Sequence, residues 1–295
     1  MKIVLTGASG LIGLPLRADL RTRGHDVITL VRRAPAGPDE DRWDPAAGRL
    51  DPRLLDGADA VVCLSGVGVG DHRWTENYKS QIVRSRVDSV GTVARTMAEH
   101  GGPAVLVSAS AVGYYGDTGD TEIDEQAPAG SSFLADVCRQ WEAAAGPARA
   151  AGSRVTFLRT GLVLAKDGGL LKRLTPIVKA GLGGKLGSGR QYMPWISLTD
   201  EVAAIEFLIE HDVAGPVNLT APRPARNAEV TTALGAVLHR PTVFQVPGFA
   251  ARIALGEFAG DVLTGQNAVP KRLLAAGFAF THTDLETALR AELAK

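Results

Sequence analysis

Residues 6–13 read TGASGLIG, which spaces Gly7, Gly10 and Gly13 three apart directly after a short β-rich run. Phosphate recognition needs glycine at each of these places. The first makes a strand-to-helix turn free of Cβ clashes. The second lets the backbone approach a pyrophosphate, and the third packs the following helix close to its strand. The helix start through Ser9, Leu11 and Ile12 then offers free N–H groups and the positive end of the helix dipole. A strand before and a helix after is the context that separates a dinucleotide turn from an ordinary glycine turn.

The end of the second expected strand selects the nucleotide. A site for NAD places Asp or Glu about 20 residues past the glycines, where it bonds the ribose hydroxyl. Arg32 and Arg33 stand there instead. A carboxylate repels a 2′-phosphate, whereas a guanidinium grips it through two parallel bonds. At about 1.5–3 kcal/mol for a charged hydrogen bond, the exchange favours NADP(H) by roughly ten- to hundredfold. Arg32 is the expected contact, with Arg33 as a second candidate.

Two more features point to the same pocket. The apolar run 59–64 ends at Leu64-Ser65-Gly66, and open α/β sheets bind ligands at the carboxyl ends of their strands. The helix expected over 79–100 carries an apolar stripe through Val83, Val87, Val90, Ala94 and Met97, and Arg86 falls inside it. A semi-buried arginine needs an anionic or carbonyl partner. That partner is either a structural acid or helix end, or a bound cofactor.

The elements that must position these residues follow from the hydrophobic pattern. Strands are expected at 2–6, 26–31, 59–64, 104–108 and 154–159, and helices at 11–23, 79–100 and 133–151. Near-continuous apolar strands alternating with helices imply a parallel sheet covered on both faces, hence a Rossmann-like doubly wound α/β fold. After residue 165 the texture changes. Residues 181–190 (GLGGKLGSGR) carry five glycines, and 222–226 and 241–248 hold further breaks. The expected division is a nucleotide-binding domain over 1–164 plus 196–220, with a helix near 200–211 and a strand at 216–219. A smaller C-terminal substrate lobe takes 165–195 plus 221–295.

Composition bounds the partners. The 295 residues are 45% hydrophobic and 22% charged, an ordinary globular balance that excludes collagen-like and disordered classes. Lys+Arg and Asp+Glu number 32 each, so bulk charge does not favour nucleic acid. No apolar run approaches the roughly 18 residues of a membrane span. Cys63 and Cys138 form neither a disulfide framework nor a zinc motif, and the six histidines lack metal-ligand spacing. No metal, nucleic-acid or membrane partner is expected, and the compartment expected is a reducing cytoplasm.

With these residues on the page, the chain resembles the extended short-chain dehydrogenase/reductase superfamily, and within it the epimerase-family proteins that carry a C-terminal domain of unknown function. The resemblance rests on TGASGLIG at 6–13, SRV at 85–87, SAVGYYG at 110–116 and FLADVCRQWEAA at 133–144. It continues through RTGLVL at 159–164, GLGGKLGSGRQYMPWI at 181–196, GPVNLTAP at 215–222 and GQNAVPKRLLAAGFAF at 265–280. It implies NADP(H) binding, with contacts at Arg32, Leu64, Ser65, Gln81, Arg86 and Val163.

The chain departs from that superfamily where chemistry is done. The usual pair is Tyr-x-x-x-Lys with a nearby Ser or Thr, the lysine lowering the tyrosine pKa. Four residues after Tyr78, Tyr114, Tyr115 and Tyr192 stand Ile82, Thr118, Gly119 and Ile196, so no such pair exists. Ser108 and Ser110 follow the strand where the superfamily serine sits, with Tyr114 and Tyr115 just behind. Ser110, Tyr114 and Tyr115 are therefore the candidate acid/base residues, with phenol pKa values expected near 10. The other reading is that both tyrosines only wall a nicotinamide pocket. Lys185 and Arg190 in the glycine-rich run are the candidate contacts for an anionic small-molecule substrate. The acidic segment from Asp117 to Glu125 is expected as a solvated loop, and Trp141 and Glu142 as helix packing and surface partners. Two functions are carried forward. One is an NADP(H)-dependent oxidoreductase or epimerase acting on a carbonyl or sugar-like substrate. The other is a non-catalytic NADP(H)-binding sensor or scaffold.

Overall fold

The computed structural model describes residues 1–294. The first half runs β1 (Lys2–Thr6), α1 (Gly13–Thr22), β2 (Asp26–Val31), β3 (Glu40–Arg42), β4 (Ala60–Cys63), α2 (Glu76–His100) and β5 (Val105–Ala111). Next come β6 (Glu122–Ile123), α3 (Phe133–Ala143), α4 (Gly146–Ala150), β7 (Arg154–Thr160), β8 (Leu162–Leu164) and α5 (Gly169–Lys179). They are followed by β9 (Gly184–Leu186), β10 (Tyr192–Met193), β11 (Trp195–Ser197), α6 (Leu198–Glu210), β12 (Gly215–Leu219), β13 (Ala225–Arg226) and α7 (Asn227–Leu238). The chain closes with β14 (Phe244–Val246), α8 (Gly248–Leu255), α9 (Ala259–Leu263), β15 (Asn267–Ala268), α10 (Lys271–Ala275) and α11 (Leu285–Ala294).

Seven strands form one sheet in the order β12-β7-β5-β4-β1-β2-β3. Ile3, Val4 and Leu5 of β1 are all buried, as are Ala60 to Cys63 of β4. Burial on both faces is why these strands lack polar alternation. β1 pairs in parallel with β2 on one side and β4 on the other. The chain therefore winds outward in both directions from β1 and β4, and this switch point is where doubly wound sheets take their ligands. Thr6 lies opposite Cys63, so the glycine turn and the Leu64-Ser65 segment emerge side by side.

The helices begin and end where local chemistry dictates. Thr75 caps α2 by accepting the Tyr78 N–H at 3.2 Å, and Gly101 ends it in the left-handed conformation at φ 68°. That cap places the start of α2 three residues before the expected 79. The single helix expected over 133–151 is broken at Ala144-Ala145 into α3 and α4, just before Gly146-Pro147, because Pro147 has no N–H to continue the ladder.

The chain divides into two compact units. Unit 1 comprises Met1–Ser110, Val137–Leu158 and Ile205–Pro216, and its core joins Val4, Val61, Met97, Trp141 and Phe157. Unit 2 comprises Ala111–Asp136, Arg159–Ala204 and Val217–Lys295, around Leu164, Leu171, Trp195, Leu234 and Leu289. These bounds assign 111–136, 159–164, 196–204 and 217–220 to the unit holding the C-terminal residues, where the sequence pattern groups them with the nucleotide-binding part.

Candidate functional site

The three motif glycines do different work. Gly7 adopts φ 73°, and a Cβ there would lie 2.7 Å from the Leu64 carbonyl carbon. A Cβ on Gly13 would lie 2.2 Å from the Gly7 oxygen. The fold itself demands both. Gly10 is exposed, and a Cβ there would meet only the Gly7 oxygen, at 3.2 Å. Crowding by the protein explains Gly10 least, so its bareness suits the approach of a ligand. The N–H groups of Leu11, Ile12 and Gly13 have no acceptor among the described residues. They open the ten-residue helix α1, with its dipole behind them. Ser9 is exposed on the same turn.

Arg32 and Arg33 part company. Arg33 makes a two-bond contact with Glu40, both bonds at 2.7 Å, and also donates to the Ala34 carbonyl. That pairing, with help from the Ala36 N–H, holds the Glu40 carboxyl down at about 2. Arg33 is thus engaged within its own loop, and a phosphate there would compete with Glu40 for it. Arg32 is exposed and has no ion pair or hydrogen bond among the described residues.

Arg86 is 9% exposed on α2. Its Nη1 donates to the Ile82 carbonyl at 3.0 Å, and its guanidinium lies 4.9 Å from the centroid of the Trp141 ring. No carboxylate pairs with it among the described residues, and burial lowers its pKa. The bareness of Gly66 admits the guanidinium, since a Cβ there would lie 3.2 Å from Arg86 Cζ. The buried cation therefore sits beside the end of β4, next to the half-buried Leu64 and Ser65. Gln81 is exposed on α2. Trp141, expected as plain helix packing, supplies the ring face to Arg86.

The candidate acid/base residues are rearranged. Tyr115 is 4% exposed; its phenol donates to Asn218 Oδ1 at 2.7 Å and accepts from Arg159 Nη1 at 3.0 Å. Burial pushes this phenol up to about 12, against the expected 10. Tyr115 is thereby a member of a buried network in unit 2. Tyr114 is half-buried, and the Arg159 guanidinium lies over its ring at 3.4 Å. Ser110 is buried, and its Oγ donates to Glu142 Oε1 at 2.8 Å. Glu142 is thus bound to the candidate serine and is not a plain surface residue. Burial raises the Cys63 thiol to about 12, in line with a core side chain.

The acidic segment is solvated at Asp117, Asp120 and Glu122 but anchored at several points. Asp117 and Thr118 accept the N–H groups of Gly265 and Asn267, and Asp124 pairs with Lys271 at 3.0 Å. Glu125 is 5% exposed and accepts the N–H groups of Asn218 and Arg272. Sequence reasoning missed Arg159, Glu125 and Asn218; the one available signal was an arginine at each end of the otherwise apolar run RVTFLR. The glycine-rich run is ordered as well: β9 pairs with β14, and Asn227 Oδ1 accepts the Leu186 N–H at 2.8 Å. Arg190 pairs with Asp120 at 3.5 Å. Lys185 is half-buried in β9 with no ion pair among the described residues. Val163 is buried in β8, a strand of unit 2.

The parallel sheet, its switch point and the open helix start define a Rossmann-like fold of the dinucleotide-binding type. The chain belongs to the NAD dependent epimerase/dehydratase family, whose model matches residues 3–220. Residues 246–292 match a domain of unknown function, DUF1731. An epimerase family protein of Mycobacterium bovis is 47% identical over 289 residues, covering 97% of this chain and 96% of that one. The crystal structure of human epimerase family protein SDR39U1 (isoform 2) with NADPH superposes with a TM-score of 0.91 at 30% identity, covering 100% and 99% of the two chains. The nucleoside-diphosphate sugar epimerase from Corynebacterium glutamicum gives 0.83 at 36% identity, covering 99% of this chain and 58% of that one.

Proposed function

We propose that the protein is an NADP(H)-dependent reductase or epimerase acting on an anionic carbonyl or sugar-like substrate. The carrying observation is Arg86, a buried guanidinium at the switch point with no carboxylate to neutralise it among the described residues. An unpaired buried charge is costly, and a phosphate beside the glycine turn supplies the missing anion. Leu11, Ile12 and Gly13 offer N–H donors to the pyrophosphate, and Arg32 grips the 2′-phosphate. The human relative crystallised with NADPH supports the same choice. Bound NADPH would supply a hydride. The chain's own part is to orient the dinucleotide and to bring a proton, for which Tyr114 is the remaining phenol near Ser110 in sequence. Lys185 is the substrate-anion contact.

Replacing Arg86 with Met tests this. The variant keeps the stem and removes the buried charge, so NADPH affinity should fall about ten- to hundredfold. Thermal stability of the free protein should hold or rise, because an uncompensated cation has left the interior. Unchanged NADPH affinity by calorimetry sinks the assignment. A second reading, a non-catalytic NADP(H)-binding sensor or scaffold, is favoured by the withdrawal of the Tyr115 phenol into its buried network. Tight NADPH binding without NADPH oxidation on any carbonyl substrate would decide for it.

A further inference from the structure

Two stretches of the chain contain no carboxylate. Residues 168–199 carry five cations and residues 230–256 carry two, the latter stretch ending at Glu257. They fold onto one another within unit 2. β9 and β14 pair with Gly184 opposite Phe244, and Arg240 Nε donates to the Lys179 carbonyl at 3.1 Å. The Leu182 N–H donates to the Ile177 carbonyl at 3.0 Å, tying the end of α5 to the same surface.

Large apolar side chains stand out of this surface. Val243 is 80% exposed, Ile253 72%, Phe249 67%, Leu182 60%, Phe244 51% and Ile177 46%. Phe249 and Ile253 are four residues apart on α8, so they share one side of it, while Ala251 is turned inward and buried. Exposures this high belong to projecting side chains; a pocket for a small molecule buries most of its lining. Lys172, Lys179 and Arg252 are exposed in the same stretches and have no ion pair among the described residues.

We propose that this face docks the protein on an anionic bilayer surface, with Phe249, Ile253 and Phe244 entering the headgroup boundary and the lysines and Arg252 meeting lipid phosphates. Projecting apolar groups carried on the same segments as exposed cations are the pattern of an interfacial anchor. Charge argues against a second copy, since a two-fold contact would set the exposed cations Lys172, Lys179 and Arg252 of these stretches against their own copies. No helix among the described residues is long and apolar enough to cross a membrane, so the contact lies on the bilayer. The expectation of no membrane partner rested on the lack of a spanning run, which leaves surface docking untouched. The inference stands independently of the dinucleotide site.

The test is co-sedimentation of the full chain with vesicles of phosphatidylglycerol and phosphatidylcholine in equal parts, against phosphatidylcholine alone. The protein should pellet with the anionic vesicles only, and less so as salt is raised. Lys179→Glu/Arg252→Glu should weaken partitioning by at least about tenfold, at roughly fivefold per cation removed. Phe249→Ser/Ile253→Ser should also weaken it by tenfold or more while leaving far-UV circular dichroism and NADPH affinity intact. Absence from the anionic pellet, or equal binding by both variants, overturns the proposal. So does a dimer in sedimentation equilibrium that the Phe249→Ser/Ile253→Ser variant abolishes, because the face would then belong to a second copy.

Discussion

The Tyr115 phenol donates to Asn218 Oδ1 at 2.7 Å, joining the segment after β5 to the last strand of the main sheet. Tyr115→Phe leaves the Asn218 carbonyl and the Arg159 guanidinium short of a partner, and should cost about 1–3 kcal/mol of stability. NADPH affinity should be unchanged, as read by urea unfolding alongside calorimetry. The folded phenol sits near 12, above its ordinary value of 10, so the native state holds this proton longer. The stability it contributes is present below pH 10 and is lost as pH rises from there through about 12. Ultraviolet titration should show a late tyrosine that disappears in Tyr115→Phe.

The two arginines after β2 should behave differently when truncated. Arg32→Ala should weaken NADPH binding about ten- to hundredfold and leave NADH binding alone. Arg33→Ala breaks a pair with Glu40 and a bond to the Ala34 carbonyl, both within its own loop, and should shift NADPH affinity by no more than about threefold. Equal affinity of the unaltered protein for both cofactors would defeat the argument.

Glycine substitutions should separate folding from binding. Gly13→Ala drives a methyl group into the Gly7 oxygen and should unfold or strongly destabilise the chain. Gly10→Val meets little protein, so circular dichroism should stay near native while calorimetry shows no NADPH binding. Tight binding by Gly10→Val would show that the phosphate path lies elsewhere.

Glu201 is fully buried at the start of α6, accepts the Thr160 hydroxyl at 2.9 Å, and is pushed up to about 8 by burial. A raised carboxyl pKa means that the folded state binds a proton the unfolded state has released. Its stabilising contribution is therefore complete below the ordinary value of 4.5 and is lost as pH climbs through about 8. Glu201→Gln imitates the protonated acid, so its melting temperature should match the parent in acid and exceed it at and above pH 8. Parallel melting curves across that range would contradict this assignment.

The glycine turn, the strands and the burial of Arg86 were legible because each is a local pattern with one physical meaning. Arg86 stood out as a cation inside an apolar stripe. The commitment of Arg33 to Glu40 was hidden because it depends on how the segment between β2 and β3 turns back, which pattern does not encode. The burial of Tyr115 depends on Asn218, 103 residues away, and no local signal reports such a partner. In the acidic segment, composition gave the solvation of Asp117, Asp120 and Glu122, while the hold of Asp117, Asp124 and Glu125 on residues 265–272 is hidden for the same reason. The break before Gly146-Pro147 is legible in the proline itself.

That clasp has a consequence for synthesis. Asn267 reaches back to Thr118, Lys271 to Asp124 and Arg272 to Glu125, at sequence separations of 149, 147 and 147 residues. On a ribosome adding about 5–20 residues per second, the segment around Glu125 waits roughly 7–30 s for its partners to emerge. During that interval its carboxylates hold water and its backbone has no strand to pair with β6. Any agent that shields residues 111–136 from collapse or proteolysis on the nascent chain will thus govern yield, and a transcript truncated before codon 267 will leave the clasp permanently open.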